Sequence, residues 1–151
     1  MGGRRAALGP TRRGNPPPTN LPVIRDRLIG REREVAATRE RLLHDDVGLL
    51  TLTGPGGVGK TRLALRIAPG LVREFEDGVW LVPLAPLRDP ALVAQTSAVV
   101  LGAHQTPGRT FADALTDALR ERSLLLVLDN FEHLVAGASL VAELLAAAPG
   151  L

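Results

Sequence analysis

The sequence predicts an α/β fold in which a parallel sheet lies between layers of helix. Three observations carry this. Gly48–Thr53 is a short β-rich run that ends at a glycine-rich turn, and a helical stretch opens directly after that turn. Leu124–Leu128 is an unbroken apolar run, too short for a helix and followed at once by Asp129, the pattern of a strand buried on both faces in a parallel sheet. The intervening segments carry helix caps and helical apolar spacing, so strands alternate with helices.

Taken in order, residues 1–20 read as a disordered, basic, Gly/Pro-rich leader with Gly2-Gly3 and Pro16-Pro17-Pro18, and order is expected to begin near Leu21-Pro22. Residues 21–151 then form one domain. A charged helix is expected over Arg31–Leu43, with Val35, Leu42 and Leu43 on one face. Gly48–Thr53 is the first strand, Lys60 to about Val72 a helix, and Val79–Val82 a second strand. Asp89-Pro90 opens a helix that stops at Gly102, with Asp as N-cap and Pro at the first helical position. Thr110-Phe111-Ala112-Asp113 resembles a capping box and opens a helix to about Arg122. Residues 131–148 are helical in composition, with Gly137 as a break.

Composition narrows the function classes. At 151 residues the chain can build one core but not two, and with 3% aromatics that core must be Leu, Val and Ala. Cysteine is absent, which removes disulfides and cysteine-ligated metals and fits a reducing, cytoplasmic setting. The sequence pI of about 10.3 reflects the lack of groups that titrate between His and Arg: there is no Tyr or Cys, and Lys60 is the one lysine. Net charge is only +2; residues 1–20 hold four arginines and no acid, and the remainder carries a net −2. A mildly acidic body is a poor footprint for direct nucleic-acid binding. No apolar run approaches the roughly 20 residues that span a bilayer, so no membrane association is expected.

The chemistry is concentrated at Gly54-Pro55-Gly56-Gly57-Val58-Gly59-Lys60-Thr61, which fits the Walker A pattern G-x-x-x-x-G-K-[ST] throughout. Glycines let the backbone curl until successive N–H groups point at one phosphate, and the following helix adds the positive end of its dipole. Lys60 reaches the terminal phosphates and the Thr61 hydroxyl ligates Mg²⁺, so the expected ligands are ATP or ADP with Mg²⁺. Asp129, at the end of an apolar strand some 70 residues on, is the acid that such a site uses for the metal. Glu132 and His133 are candidates for orienting or deprotonating a water, though either could equally cap the following helix or face solvent. His44 and His104 have no second ligand at metal spacing and read as surface residues.

Several segments together resemble a known family. They are Leu28-Ile29-Gly30-Arg31-Glu32, Leu52 through the P-loop to Arg62-Leu63-Ala64, Gly78-Val79-Trp80, Leu84–Pro90, and Leu125–His133. The chain resembles the STAND class of signal-transduction NTPases, related to NB-ARC domains, and more narrowly the ATPases of large bacterial LuxR-type and SARP-type transcriptional regulators. The resemblance implies an ASCE-type P-loop NTPase, a three-layer sandwich. It makes Ile29, Gly30 and Arg31 candidate base and ribose contacts and adds Arg62 to the nucleotide-binding set. It also implies a switch: ADP holds a closed state, ATP exchange allows self-association, hydrolysis is slow, and fused domains give the output.

Two features depart from the family pattern. Pro69-Gly70 falls in the helix after the P-loop, where proline removes a hydrogen bond and kinks or ends the helix. In the family, a further strand bearing a nucleotide-sensing Arg follows Leu151 and lies between the P-loop strand and the Asp129 strand. The expectation is therefore a C-terminally truncated domain with an incomplete parallel sheet and marginal stability. A small stand-alone P-loop ATPase or kinase, or a remnant that no longer binds, are the competing readings.

Overall fold

The computed structural model describes residues 16–24 and 30–151. Its centre is a two-stranded parallel sheet of β1 (Val79–Pro83) and β2 (Leu125–Asp129), in register from Val79↔Leu125 to Pro83↔Asp129. Asp77 sets that register: its N–H donates to the Ser123 carbonyl at 2.8 Å, and its carboxylate accepts from the Ser123 N–H at 2.8 Å. The Trp80 indole closes the corner by donating to the Asp77 carbonyl.

Helices cover both faces. Period-2 alternation sends Val79, Leu125 and Val127 toward α1 (Glu32–Leu42) and α2 (Lys60–Ile67), where Leu63, Ile67, Leu71 and Phe75 are buried. Trp80, Val82, Leu126 and Leu128 face α3 (Leu92–Leu101), α4 (Phe111–Leu119) and α5 (Ala138–Ala147), against Val93, Ala98, Leu115, Leu119 and Leu144. This is the layered α/β arrangement the alternation predicts, on a small sheet.

Local chemistry explains most boundaries. The first turn of α1 holds Glu32 and Glu34 and its last turn Arg39 and Arg41, which matches charge to the helix dipole. The Asp89 carboxylate accepts from the Ala91 N–H ahead of α3, and Gly102 ends α3 in the left-handed conformation at φ 67°. The capping box of α4 is complete: the Asp113 N–H donates to the Thr110 hydroxyl, and the Asp113 carboxylate accepts from both the N–H and the hydroxyl of Thr110. Those bonds, the backbone one foremost, hold the Asp113 carboxyl below its ordinary range.

Five expectations need correction. Gly48–Thr53 is not a strand: it forms no backbone hydrogen bond with a described residue, and a segment becomes a strand only by pairing. The helix after the P-loop ends at Ile67, not Val72, and tightens to a 3₁₀ stretch over Ala68–Glu74, because Pro69 cannot donate to the carbonyl four residues back. α4 ends at Leu119, three residues early, as the chain turns into β2. β2 is half-buried along its length rather than buried on both faces, since β1 is its sole partner among the described residues. Residues 131–137 are two 3₁₀ turns, and the helix proper begins after Gly137.

The N-terminal segment supplies the other difference. Residues 1–15 lie outside the described residues, but Thr19 and Asn20, assigned above to the leader, are fixed to the outer edge of β1. Thr19 bridges Val79, and its hydroxyl donates to the Val79 carbonyl at 2.7 Å. The Asn20 side chain stands in for a peptide group: its oxygen accepts from the Leu81 N–H at 2.7 Å, and its nitrogen donates to the Leu81 carbonyl at 2.8 Å. Pro83, next on that edge, has no N–H to offer a further strand.

This docking demands glycine at position 78. Gly78 has φ 81°, and a Cβ there would collide with the Pro18 carbonyl oxygen. Gly78→Ala is expected to cost more than about 2 kcal/mol, read as a lower urea midpoint. Asp113→Ala should also lower the midpoint at neutral pH. Because the folded-state pKa of Asp113 is depressed, its contribution is present above the ordinary carboxylate range and is lost as pH falls through the folded value, so the gap to wild type should narrow in acid.

Candidate functional site

The glycine-rich loop Gly54–Gly59 leads into α2. Gly54, Gly57 and Gly59 take φ of 150°, 82° and 84°, a region closed to most side chains, and Gly59 caps the helix in the left-handed conformation. Space beyond Gly56 and Gly57 is open: a Cβ on either would meet nothing within 4 Å. The first turn of α2 carries Lys60, Thr61 and Arg62 and no acid, so the positive end of its dipole is not offset locally.

Lys60 folds back over this loop. Its ammonium donates to the Gly54 carbonyl at 2.9 Å and the Pro55 carbonyl at 3.3 Å, and it lies 3.8 Å from a Glu132 carboxylate oxygen. The ammonium thus sits above the loop, where an anion cradled by the loop N–H groups would meet it. Glu132 is 58% exposed, so its pairing with Lys60 is weak and readily displaced.

Asp129 reaches the first turn of α2 from the sheet. It is the last residue of β2, and its carbonyl accepts from the Leu84 N–H at 3.0 Å, which continues the ladder past Pro83. Its carboxylate accepts from the Thr61 hydroxyl at 2.6 Å across 68 residues of sequence. A hydroxyl and a carboxylate oxygen this close form the hard-oxygen pair that a divalent cation prefers, with water completing its shell. Among the described residues no cluster of three or more His, Asp and Glu side chains is placed to hold a metal.

The other sequence-predicted residues divide. Arg62 follows Thr61 and lines a groove shared with residues 21–24. Gly30 and Arg31 face their own helix: the Gly30 N–H donates to the Glu32 carboxylate, and Arg31 pairs with Glu34. Ile29 lies outside the described residues. After β2, Asn130 takes φ 63°, a left-handed turn that swings the chain so that Glu132 faces Lys60. The His133 ring nitrogen Nε2 lies 2.9 Å from the Leu87 carbonyl, so that ring braces a neighbouring turn. Thr19 and Asn20 were missed as ordered residues, because a side chain that pairs with a strand 60 residues away leaves no local signal.

A family model described as an AAA domain matches residues 43–148, from the end of α1 to the end of α5. The chain belongs to the AAA domain family. This AAA domain also has close relatives among mycobacterial proteins. Proteins of Mycobacterium bovis and Mycobacterium tuberculosis whose names propose an HTH-type transcriptional regulator are each 49% identical to it over 104 residues, covering 68% of this chain and 12% of the relative. An uncharacterized protein of Mycobacterium bovis is 40% identical over 125 residues, 82% of this chain and 31% of its own length. The chain therefore spans only a small part of the relatives it matches. No solved structure matches it significantly.

The Thr61–Asp129 bond joins α2 to β2 where no strand pairing does. Thr61→Val keeps the shape and removes the donor, leaving a partly buried carboxylate short of a partner. It is expected to cost about 1–2 kcal/mol by urea denaturation.

Proposed function

We propose that this AAA domain binds ATP or ADP with Mg²⁺ and acts as the nucleotide switch of a STAND-type bacterial transcriptional regulator. The observation that carries the reading is the convergence at the loop. Glycines with positive φ leave room over Gly56 and Gly57, the Lys60 ammonium lies on the Gly54 and Pro55 carbonyls of the same loop, and Thr61 meets Asp129 at 2.6 Å. A bound Mg²⁺ would neutralise charge on the terminal phosphates. Thr61 and Asp129 are the residues that would hold it, directly or through water. Gly54–Gly59 would receive the phosphates through their N–H groups, and Lys60 would exchange the Gly54 and Pro55 carbonyls for phosphate oxygens.

A switch fits better than rapid turnover. Of the candidate water-activating groups, the His133 ring sits on the Leu87 carbonyl, and that arrangement supports slow or regulated hydrolysis. The regulator context is supported by the names of the 49%-identical relatives, and self-association and output would belong to the longer protein of which such a domain forms part. The net −2 of residues 21–151 supports a role without direct nucleic-acid contact for this segment.

Titration with ADP and ATP, with and without Mg²⁺, tests the reading. Lys60→Ala should weaken ADP binding by about tenfold or more, and Asp129→Ala should abolish the Mg²⁺ dependence of ATP binding while sparing binding without metal. Equal binding by wild type and Lys60→Ala would sink the proposal. Steady multiple turnover of ATP by the chain would favour a stand-alone ATPase instead.

A further inference from the structure

Residues 19–24 run as a strap from the outer edge of β1 to the flank of α2. One end is held by polar anchors: the Thr19 hydroxyl on the Val79 carbonyl, and the Asn20 amide on both backbone groups of Leu81. The other end forms a wall. Leu21, Val23 and Ile24 face Arg62, Leu65 and Arg66 across a groove of about 330 Å³. Arg62 directly follows Thr61, and the lining continues from it along the helix through Pro69 to Val72.

The wall has little holding it in place by itself. Val23 is 88% exposed and Ile24 44% exposed, so apolar burial past Leu21 contributes little. What fixes the strap is the pair of anchors on β1. A nucleotide whose phosphates fill the loop must still place its nucleoside portion against something, and a mostly apolar groove with a few polar points is the environment such a group takes.

We propose that Asn20 is a positioning residue for the nucleotide site. Clamped on Leu81, its amide holds the strap as the wall of the groove that receives the nucleoside part of the ligand, without touching the ligand itself. The proposal rests on the nucleotide reading above. It separates two parts of one ligand: loss of the clamp should loosen the grip on the nucleoside and leave the grip on the phosphates intact. Asparagine suits the task because one planar side chain both accepts from and donates to the strand edge; aspartate would set a carboxylate against the Leu81 carbonyl.

The test is calorimetric titration of the whole chain with ADP and, separately, with inorganic tripolyphosphate. The variants are Asn20→Ala, Asn20→Asp, Thr19→Val and Thr19→Ser. Asn20→Ala and Asn20→Asp should weaken ADP by about five- to tenfold, Thr19→Val somewhat less, with Thr19→Ser restored to wild type. Tripolyphosphate affinity should stay within about twofold throughout. Wild-type ADP affinity in Asn20→Ala overturns the proposal, as does a parallel loss of both ligands, which marks a merely structural role. If circular dichroism shows the Asn20 variants unfolded, the Thr19→Val and Thr19→Ser pair decides by the same criterion. Lys60→Ala separates this from the parent reading. If it leaves both ligands unaffected, or wild type binds neither, the nucleotide assignment fails and the proposal with it.

Discussion

Five residues of parallel pairing hold the working parts of this domain together. The β1–β2 ladder, locked at its start by Asp77 against Ser123, carries β2 forward so that it ends with Asp129 facing the first turn of α2. Everything chemical lies at that end. A one-residue slip would turn Leu126 and Leu128 to the wrong helical layer and move Asp129 to the wrong face, so the apolar packing on the two faces and the Thr61 contact specify the same register. The fold and the site are thus not separate problems here.

The sheet is unequal on its two sides. On the outer edge of β1, Thr19 and the Asn20 side chain occupy backbone groups of Val79 and Leu81, and Pro83 has no N–H to recruit another strand. On the β2 side, α2 is joined by the packing of Leu63 and Ile67 against Leu125 and Val127 and by the hydroxyl–carboxylate bond of Thr61 and Asp129, and Leu49–Thr53 pairs with no strand among the described residues. The side that would handle phosphate is therefore the less constrained one, and a site that must exchange ligands draws on the less stable end of a structure.

Much of this was legible in the sequence because it is local. The P-loop glycines, the Thr110 cap, the Gly102 stop and the Gly137 break are each decided within a few residues, and each stands where its chemistry puts it, whereas α3 begins at Leu92 with Ala91 as its N-cap rather than at Asp89-Pro90. The AAA family match agrees with what the loop and the Asp129 strand implied. Non-local features were not legible. Whether Leu49–Thr53 becomes a strand depends on a neighbour rather than on its own β propensity, and the half-burial of β2 depends on the same missing contact. Pro69 announced a disruption, but its result, a 3₁₀ continuation that still buries Leu71, is set by the cluster around Phe75. Glu132 and His133 were visible as chemistry-bearing residues; their orientation was not, because it follows from the left-handed turn at Asn130.

The ammonium folded over the P-loop carbonyls has a practical consequence. Lys60 is the one lysine in 151 residues, so the protein has a single side-chain amine, and it sits at the centre of the proposed phosphate site. Within these residues an acylating label, an amine-directed cross-linker or an immobilisation resin finds that one side-chain amine to react with. Such reagents would strike the very side chain on which recognition depends, whereas the rate at which it is modified would itself report whether the loop is filled.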